Sequence, residues 1–252
     1  MPNLTPQIFS TYHIHYRTPP PPIPKPGQFS YSNTNFTILG LITEKITSSS
    51  AVSQIRKRVL EPLNMNRTWM ESFEPNPHPG LNLVPDRYHW ANPTFVATAG
   101  ICSAFTYPES RPDLIDASLS NLSVEWTAGG YLSHPSDLAS LGLAIRDKDP
   151  RIISPKSWDI MHNFISPGPL SPVEFGYGIF RIKRGNKKWL VHDGSVLGFA
   201  STLFWAEEGD VVGAVTGNVG TMHAGKVESA ASVALGEEFL DGVVKLALIS
   251  QV

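Results

Sequence analysis

Apolar residues recur at helical spacing in the first part of the chain. The stretch NFTILGLITEKI predicts a helix that begins with Asn33 or Thr34 as its N-cap. Its apolar side chains share one face, which we expect to be buried: Phe36, Leu39, Ile42 and Ile46.

Three more stretches show helical patterning together with start and stop signals. SAVSQIRKRVLEPL predicts a helix capped by Ser50 and ended by Pro62. SHPSDLASLGLAIRD places Pro135 in a first turn and Asp137 near the positive end of the helix dipole. SPKSWDIMHNF begins in the same way, with Ser154 as the cap.

The hydrophobic period changes after about residue 172, where short β-rich runs follow one another. These runs are EFGYGIFRIKR, KKWLVHDG, ASTLFWAE and DVVGAVTGN, separated by the turn sequences GN (185–186) and EEGD (207–210). They predict an antiparallel meander of three or four strands. The last segment, HAGKVESAASVALGEEFLDGVVKLALI, predicts a long amphipathic helix that covers one face of the sheet.

The order of these elements predicts an α+β fold in one domain over residues 1–252. We expect a mainly helical lobe at about 28–170 and a sheet lobe with the C-terminal helix at about 172–252. Residues 71–127 lack a sustained period and predict long loops with short helices. The proline-rich segment 18–27 predicts an extended approach, and the single cysteine, Cys102, predicts ordinary packing.

The composition indicates which kinds of partner this protein is not expected to bind. The net charge of −2 offers no reason to expect nucleic acid, and no apolar run approaches the length of a membrane span. The chain starts without the pattern of a signal peptide, so we expect a soluble protein of open localisation. No zinc-binding spacing occurs, and we expect neither a metal nor a cofactor.

Two short constellations carry candidate chemistry. Tyr31-Ser32-Asn33 lies at a loop-to-helix junction, and His192-Asp193-Gly194-Ser195 lies at the end of a predicted strand. Each also has an ordinary structural explanation on residue types alone. Asn33 suits a helix cap and Tyr31 a core position, while Asp193 and Gly194 suit a turn.

Several longer blocks, taken together, resemble the serine β-lactamase-like and penicillin-binding-protein family. These blocks are PGQFSYSNTNFTILGLITEKITSSS, RKRVLEPLNMNRTWM, WTAGGYLSHPSDLASLGLAI, FGYGIF and VHDGSVLGFASTLFWAEEGDVVGAVTGN. They occur in the family's order and cover most of the chain from about residue 24, with residues 76–122 matching least well. The family includes class C β-lactamases, D-Ala-D-Ala carboxypeptidases, D-aminopeptidases, esterases and acyltransferases.

The resemblance implies an acyl-enzyme mechanism with roles for five residues of this chain. By motif match, Tyr31 would shuttle a proton, its pKa lowered by nearby cations. Asn33 and His192 would bind substrate, and Gly194 would leave room for it along the strand. The backbone N–H of Ser195 would donate to the oxyanion.

Two departures from the family pattern matter. Asp193 stands where the family has threonine, and its charge disfavours substrates that carry a carboxylate nearby. The expected substrate is therefore a small ester, amide or acyl compound, not an efficiently cleaved β-lactam. The second departure is that no serine of this chain has a lysine three residues later, so the family's Ser-x-x-Lys nucleophile motif is absent.

From that absence we expect an N-terminally incomplete family member, with the first strands and the nucleophile helix missing and the chain inactive alone. Whether this polypeptide is itself an enzyme stays open. The alternative is a non-catalytic ligand-binding or regulatory protein on the same fold, and a weaker one is a gene remnant. The sequence distinguishes neither esterase from peptidase or acyltransferase, nor any oligomeric state.

Overall fold

The computed structural model describes residues 30–80, 84–90, 113–120, 122–169, 171–220 and 230–249. The proline-rich segment 18–27 and Cys102 lie outside these ranges. Within them, helices and mainly antiparallel strands combine as the predicted α+β class requires.

The four predicted helices of the first part are all present. Ser50 and Ser154 cap their helices as predicted, each accepting a hydrogen bond from the backbone N–H three residues on, at 3.1 and 3.2 Å. The helices are α1 (Asn33–Thr47), α2 (Ala51–Ile55, continued by a π-helical turn over Arg56–Leu60), α3 (Pro135–Arg146) and α4 (Pro155–Met161).

Helix α1 differs from its prediction at its start. Neither Asn33 nor Thr34 is the cap: Ser32 holds that position in an extended conformation and forms no side-chain capping bond. Asn33 is instead the first helical residue and is exposed.

The buried side of α1 is also not the one that the apolar pattern predicted. Leu39 and Ile46 are 56% and 77% exposed, and Ile42 is exposed as well. The helix instead buries Gly40, where an added Cβ would lie 2.8 Å from the Trp126 ring. The periodicity correctly identified which residues of α1 form an apolar stripe. The side of α1 that faces the protein interior is instead determined by the close contact between Gly40 and Trp126.

A five-stranded antiparallel sheet forms the second part of the chain, and its strands lie side by side in the order in which they follow in sequence. The predicted meander is confirmed, with one more strand than expected. EFGYGIFRIKR divides into two strands because the chain turns at Gly176–Gly178, where Gly178 has φ +78°. The strands are β5 (Val173–Phe175), β6 (Phe180–Arg184), β7 (Lys187–Val196), β8 (Phe199–Ala206) and β9 (Val212–Gly217).

Both faces of this sheet are covered by helices, so the middle strands are buried on both sides. One face packs on α3 and α4, and the other on the C-terminal helices. The first core contains Ile145, Trp158, Ile179, Leu190, Leu203 and Trp205. The second contains Ile182, Trp189, Val191, Phe204, Ala206 and Leu240.

The prediction of one long C-terminal helix is wrong. The described residues form two helices, α5 (Ala230–Ala234) and α6 (Glu237–Ile249), and residues 221–229 of the predicted helix lie outside the description. Gly236 interrupts the pattern, as glycine commonly does at a helix end. The predicted packing on the sheet is confirmed, since Leu240 of α6 is fully buried against it.

Among the described residues, two short strands lie inside the predicted loop region 71–127, and three more lie outside it. Strand β1 (Trp69–Met70) pairs with β4 (Tyr131–Leu132), and β2 (Tyr88–Trp90) lies between β3 (Leu114–Asp116) and β10 (Val219–Gly220). Strands of two or three residues are too short to show a period. Among the described residues, no helix combines the length and apolar character that crossing a membrane requires.

Candidate active site

Tyr31 lies just before α1 and reaches the sheet from there. Its ring centroid is 5.6 Å from that of Phe36 on the helix and 6.3 Å from that of Phe180 on β6. The extended Ser32 separates Tyr31 from the first helical turn.

His192 lies in β7 and contacts the same aromatic ring. Its imidazole stacks on Phe180 with centroids 5.1 Å apart, and its Nδ1 donates to the carbonyl oxygen of Gly178 at 2.9 Å. Because a carbonyl oxygen only accepts, this hydrogen bond assigns a proton to Nδ1. The two constellations found separately in the sequence therefore meet on Phe180.

Sequence reasoning did not single out Phe180. Its ring contacts Tyr31, His192 and Phe175, the last at 5.3 Å. The available signal was its place in the FGYGIF block. A motif search for reactive side chains passes over such a residue, because a phenylalanine that joins two reactive groups has no chemistry of its own.

Among the described strands, one edge of β7 has no partner beside these rings. Strand β6 pairs with β7 only as far as Phe180 opposite Val191. Among the described strands, residues 192–196 of β7 pair with β8 alone. An unpaired strand edge presents backbone N–H and C=O groups, which can bind an extended substrate as an added strand.

Two of the other predicted residues lie on this edge. Gly194 and Ser195 belong to its open stretch, and a Cβ on Gly194 would meet Ser201 Oγ at 3.3 Å. Asn33 is exposed and, within the described part of the chain, its side chain forms no hydrogen bond. Their binding roles, and that of the Ser195 backbone N–H, stay predictions.

The electrostatics of Tyr31 contradict one expectation. Partial desolvation of the phenol, which is about half exposed, and then the negative charge of Asp193 raise the pKa of Tyr31 above its ordinary value. The expected lowering by cations is wrong for the described residues, because the charge that acts on the phenol is a carboxylate. Tyr31 is consequently a neutral proton donor at pH 7. In the described ranges no group of three or more candidate ligands could hold a metal ion.

Comparison with known proteins identifies the family and the fold. A family model described as Beta-lactamase matches residues 14–237. A D-amino acid amidase from Ochrobactrum anthropi SV3, in complex with L-phenylalanine amide, is similar in structure at a TM-score of 0.66 and 23% identity, over 90% of this chain and 60% of that one. A D-stereospecific amidohydrolase from Streptomyces sp. gives 0.60 and 21%, over 77% of this chain and 51% of that one.

A third similar structure is the octameric penicillin-binding protein homologue from Pyrococcus abyssi. It gives a TM-score of 0.59 at 21% identity, over 91% of this chain and 44% of that one. The chain thus spans between 44% and 60% of the length of these three proteins. The similarities confirm the β-lactamase/transpeptidase-like fold that the resemblance implied.

Proposed function

This chain belongs to the beta-lactamase family, and on that premise we propose that it forms one side of a serine acyl-transfer site for a small amide or ester. The observation that carries the proposal is the meeting of Tyr31 and His192 on the Phe180 ring, beside the open edge of β7. The two amidases of the same fold support an amide as the first substrate to test.

In such a reaction a serine oxygen bonds to the acyl carbon, and the bond from that carbon to the leaving nitrogen or oxygen breaks. The leaving group must take up a proton. The phenol of Tyr31 gives its proton to the leaving group and takes up the proton that the serine hydroxyl loses, so it returns to the neutral form that its raised pKa favours. Nε2 of His192, left without a proton in the neutral ring, accepts a hydrogen bond from the substrate amide.

This sequence lacks the family's Ser-x-x-Lys motif, because none of its serines has a lysine three residues on. The serine that would accept the acyl group in the family's mechanism is therefore not identified in this chain. We therefore propose that the 252-residue polypeptide binds its substrate and forms no acyl-enzyme by itself. The same observation favours a second function, a ligand-binding or regulatory protein that uses this site without catalysis.

Labelling tests the covalent part. The purified polypeptide is incubated with a fluorophosphonate probe and with a fluorescent penicillin, and the mass of the intact protein is measured. We expect no adduct with either. A stoichiometric adduct on a serine would overturn the inference that the chain is inactive alone.

Binding tests the site itself. Ligand-observed NMR titration with the neutral compound N-acetyl-leucine amide should give a measurable Kd that His192→Ala weakens several-fold. His134→Ala is the matched control, because His134 is exposed and caps α3 through its Nδ1. Equal binding to all three proteins, or no binding to the wild-type chain, would contradict the proposed function.

A further inference from the structure

An open cavity of about 640 Å³ lies at the end of α1 that is farther from Tyr31. Its walls come from three parts of the described chain: the last turn of α1, helix α2 with its π-helical turn, and the segment around the loop between α3 and α4. Since α1 rises about 1.5 Å per residue, its length places the cavity about 20 Å from Tyr31. The volume is within the range of small-molecule sites.

Three cationic side chains line this cavity, and two of them have no acidic partner. Arg58 donates from Nε to the neutral amide oxygen of Gln54 at 2.8 Å, which leaves its two terminal nitrogens available. Neither Lys57 nor Arg58 forms an ion pair with any residue that the structure describes. The third cation, Arg151, is neutralised by the carboxylate of Asp149 at 2.9 Å. The charges of Lys57 and Arg58 are therefore uncompensated.

The π-helical turn separates these two cations from a third one beside them in sequence. Arg56 faces the interior, where its Nη2 donates to the carbonyl oxygen of Thr68 at 2.9 Å and its Nε pairs with Glu74. Lys57 and Arg58 follow directly and are exposed. π-Helical turns are rare and often occur at functional sites. Arg56 has a structural role, whereas its two neighbours are available to a ligand.

Apolar side chains form another part of the wall. Ile152 packs against a cluster of buried apolar residues from α2 and α3, while Ile46 is 77% exposed at the end of α1. The wall beside Ile152 is held in place, because Nη1 of Arg151 donates to the carbonyl oxygen of Pro62 at 3.0 Å. The cavity is thus formed before a ligand arrives, and it offers an apolar surface next to positive charge.

We propose that this cavity binds a phosphate monoester that carries an apolar chain. Such a group has a charge of about −1.5 to −2 at neutral pH, which matches Lys57 and Arg58 together, whereas a carboxylate would match one of them. Phosphate oxygens suit both the terminal nitrogens of an arginine and the point charge of a lysine. The chain lies against Ile46 and Ile152. The proposal is independent of the proposed function, because the cavity shares no residue with the site on Phe180 and β7.

The test measures the binding of four compounds to the purified polypeptide by isothermal titration calorimetry: hexyl phosphate, inorganic phosphate, hexanoate and hexanol. The titrations are done at about pH 7.5, above the second pKa of a phosphate monoester at about 6. We expect hexyl phosphate to bind about ten-fold more tightly than hexanoate, because it engages both cations. Inorganic phosphate, which lacks the chain, should bind several-fold more weakly than hexyl phosphate, and hexanol should not bind measurably.

The double substitution Lys57→Gln, Arg58→Gln should weaken the binding of hexyl phosphate about ten-fold or more. Its matched control is Lys187→Gln, Lys188→Gln, which removes two consecutive exposed lysines at the start of β7 and should leave the Kd unchanged. All four residues are exposed, so both variants should fold. Ile46→Ser should remove most of the advantage of hexyl phosphate over inorganic phosphate.

Three results would overturn the proposal and leave the proposed function standing. They are no binding of hexyl phosphate, equal binding of hexyl phosphate and hexanol, and a Kd that survives the loss of Lys57 and Arg58. Once hexyl phosphate binds as expected, sedimentation with phosphatidylcholine vesicles that contain phosphatidic acid distinguishes two sources of the ester. Retention on the vesicles identifies a lipid headgroup and its absence a soluble compound, and both results support the site.

Discussion

At the scale of single residues, the chemistry of Tyr31 is set by a neighbour that is distant in sequence. The phenol is near enough to Asp193 for the carboxylate charge to oppose its ionisation. Ionisation of a tyrosine creates a negative charge, which burial and a nearby carboxylate both disfavour. The proton therefore stays on Tyr31 at pH values where an ordinary tyrosine begins to lose it.

We predict that Tyr31 titrates above pH 10 and that Asp193→Asn lowers its pKa. The substitution removes the repulsive charge, while burial of the ring remains and keeps the pKa above the ordinary value. The titration of Tyr31 is read from the ultraviolet absorbance difference between the wild-type chain and Tyr31→Phe. An unchanged or higher pKa in Asp193→Asn would show that the two groups do not interact.

The sequence could identify Tyr31, Asn33, His192 and Gly194 because each belongs to a short motif in a recognisable block. It could not reveal that Phe180 joins them, since that depends on where β6 stops pairing with β7. The sequence also could not predict the direction in which the pKa of Tyr31 is shifted. That direction depends on which charged group the fold brings nearest, and a carboxylate occupies the place where cations were expected.

At the scale of elements, α1 shows that a helix can bury a glycine and expose most of its aliphatic side chains. Thr127 Oγ1 donates to the carbonyl oxygen of Phe36 at 3.0 Å, which brings Gly40 against the turn that contains Trp126. Trp126 itself has φ +39°, an uncommon conformation for a bulky residue. This close contact holds α1 in place.

We predict that Gly40→Ala destabilises the fold although alanine is the better helix former. The new Cβ would lie 2.5 Å from Thr127 Oγ1 and 2.8 Å from the buried Trp126 ring. Such overpacking costs about 1–3 kcal/mol, against a gain in helix propensity of up to about 1 kcal/mol. Urea denaturation should therefore give a lower free energy of unfolding.

Leu39→Ala, one residue away, is the matched control. Because Leu39 is largely exposed, its truncation should change the free energy of unfolding by less than about 0.5 kcal/mol. The reverse order, with Leu39→Ala the more damaging change, would mean that the apolar side of α1 is buried as its periodicity first suggested.

At the scale of the whole molecule, one buried ion pair connects regions that are far apart in sequence. Arg87, before β2, donates to the two carboxylate oxygens of Glu71 at 2.7 and 3.2 Å, and the same carboxylate accepts the backbone N–H of Leu122. The Arg87 guanidinium also lies 5.1 Å from the centroid of the Phe199 ring at the start of β8. The pair thus joins the short strands to the main sheet.

We predict that Glu71→Gln lowers the free energy of unfolding by about 3 kcal/mol, because it leaves the buried Arg87 charge uncompensated. Asp159→Asn should cost less than about 1 kcal/mol, since its ion pair with Lys148 is exposed to solvent. Both are measured by urea denaturation under the same conditions. Similar losses for the two variants would contradict the structural role given to Glu71.

The large helices and the meander were predictable because their periods extend over many residues. The strands of two and three residues and the Glu71–Arg87 pair were not. Both depend on contacts across long sequence separations, which no local pattern records. Segments such as FGYGIF were interpreted as one strand for the same reason, although Gly178 interrupts them.

The attachment of α1 has a consequence for affinity. Tyr31 precedes this helix, whose large apolar side chains contribute little burial, so α1 is expected to open more readily than α3, which packs on the sheet. Tyr31 lies in the site only in those molecules in which α1 is packed against the rest of the protein. The apparent Kd of any ligand increases as the fraction of such molecules falls. A contact that covers Leu39, Ile42 and Ile46 would therefore strengthen binding at β7 without touching the ligand.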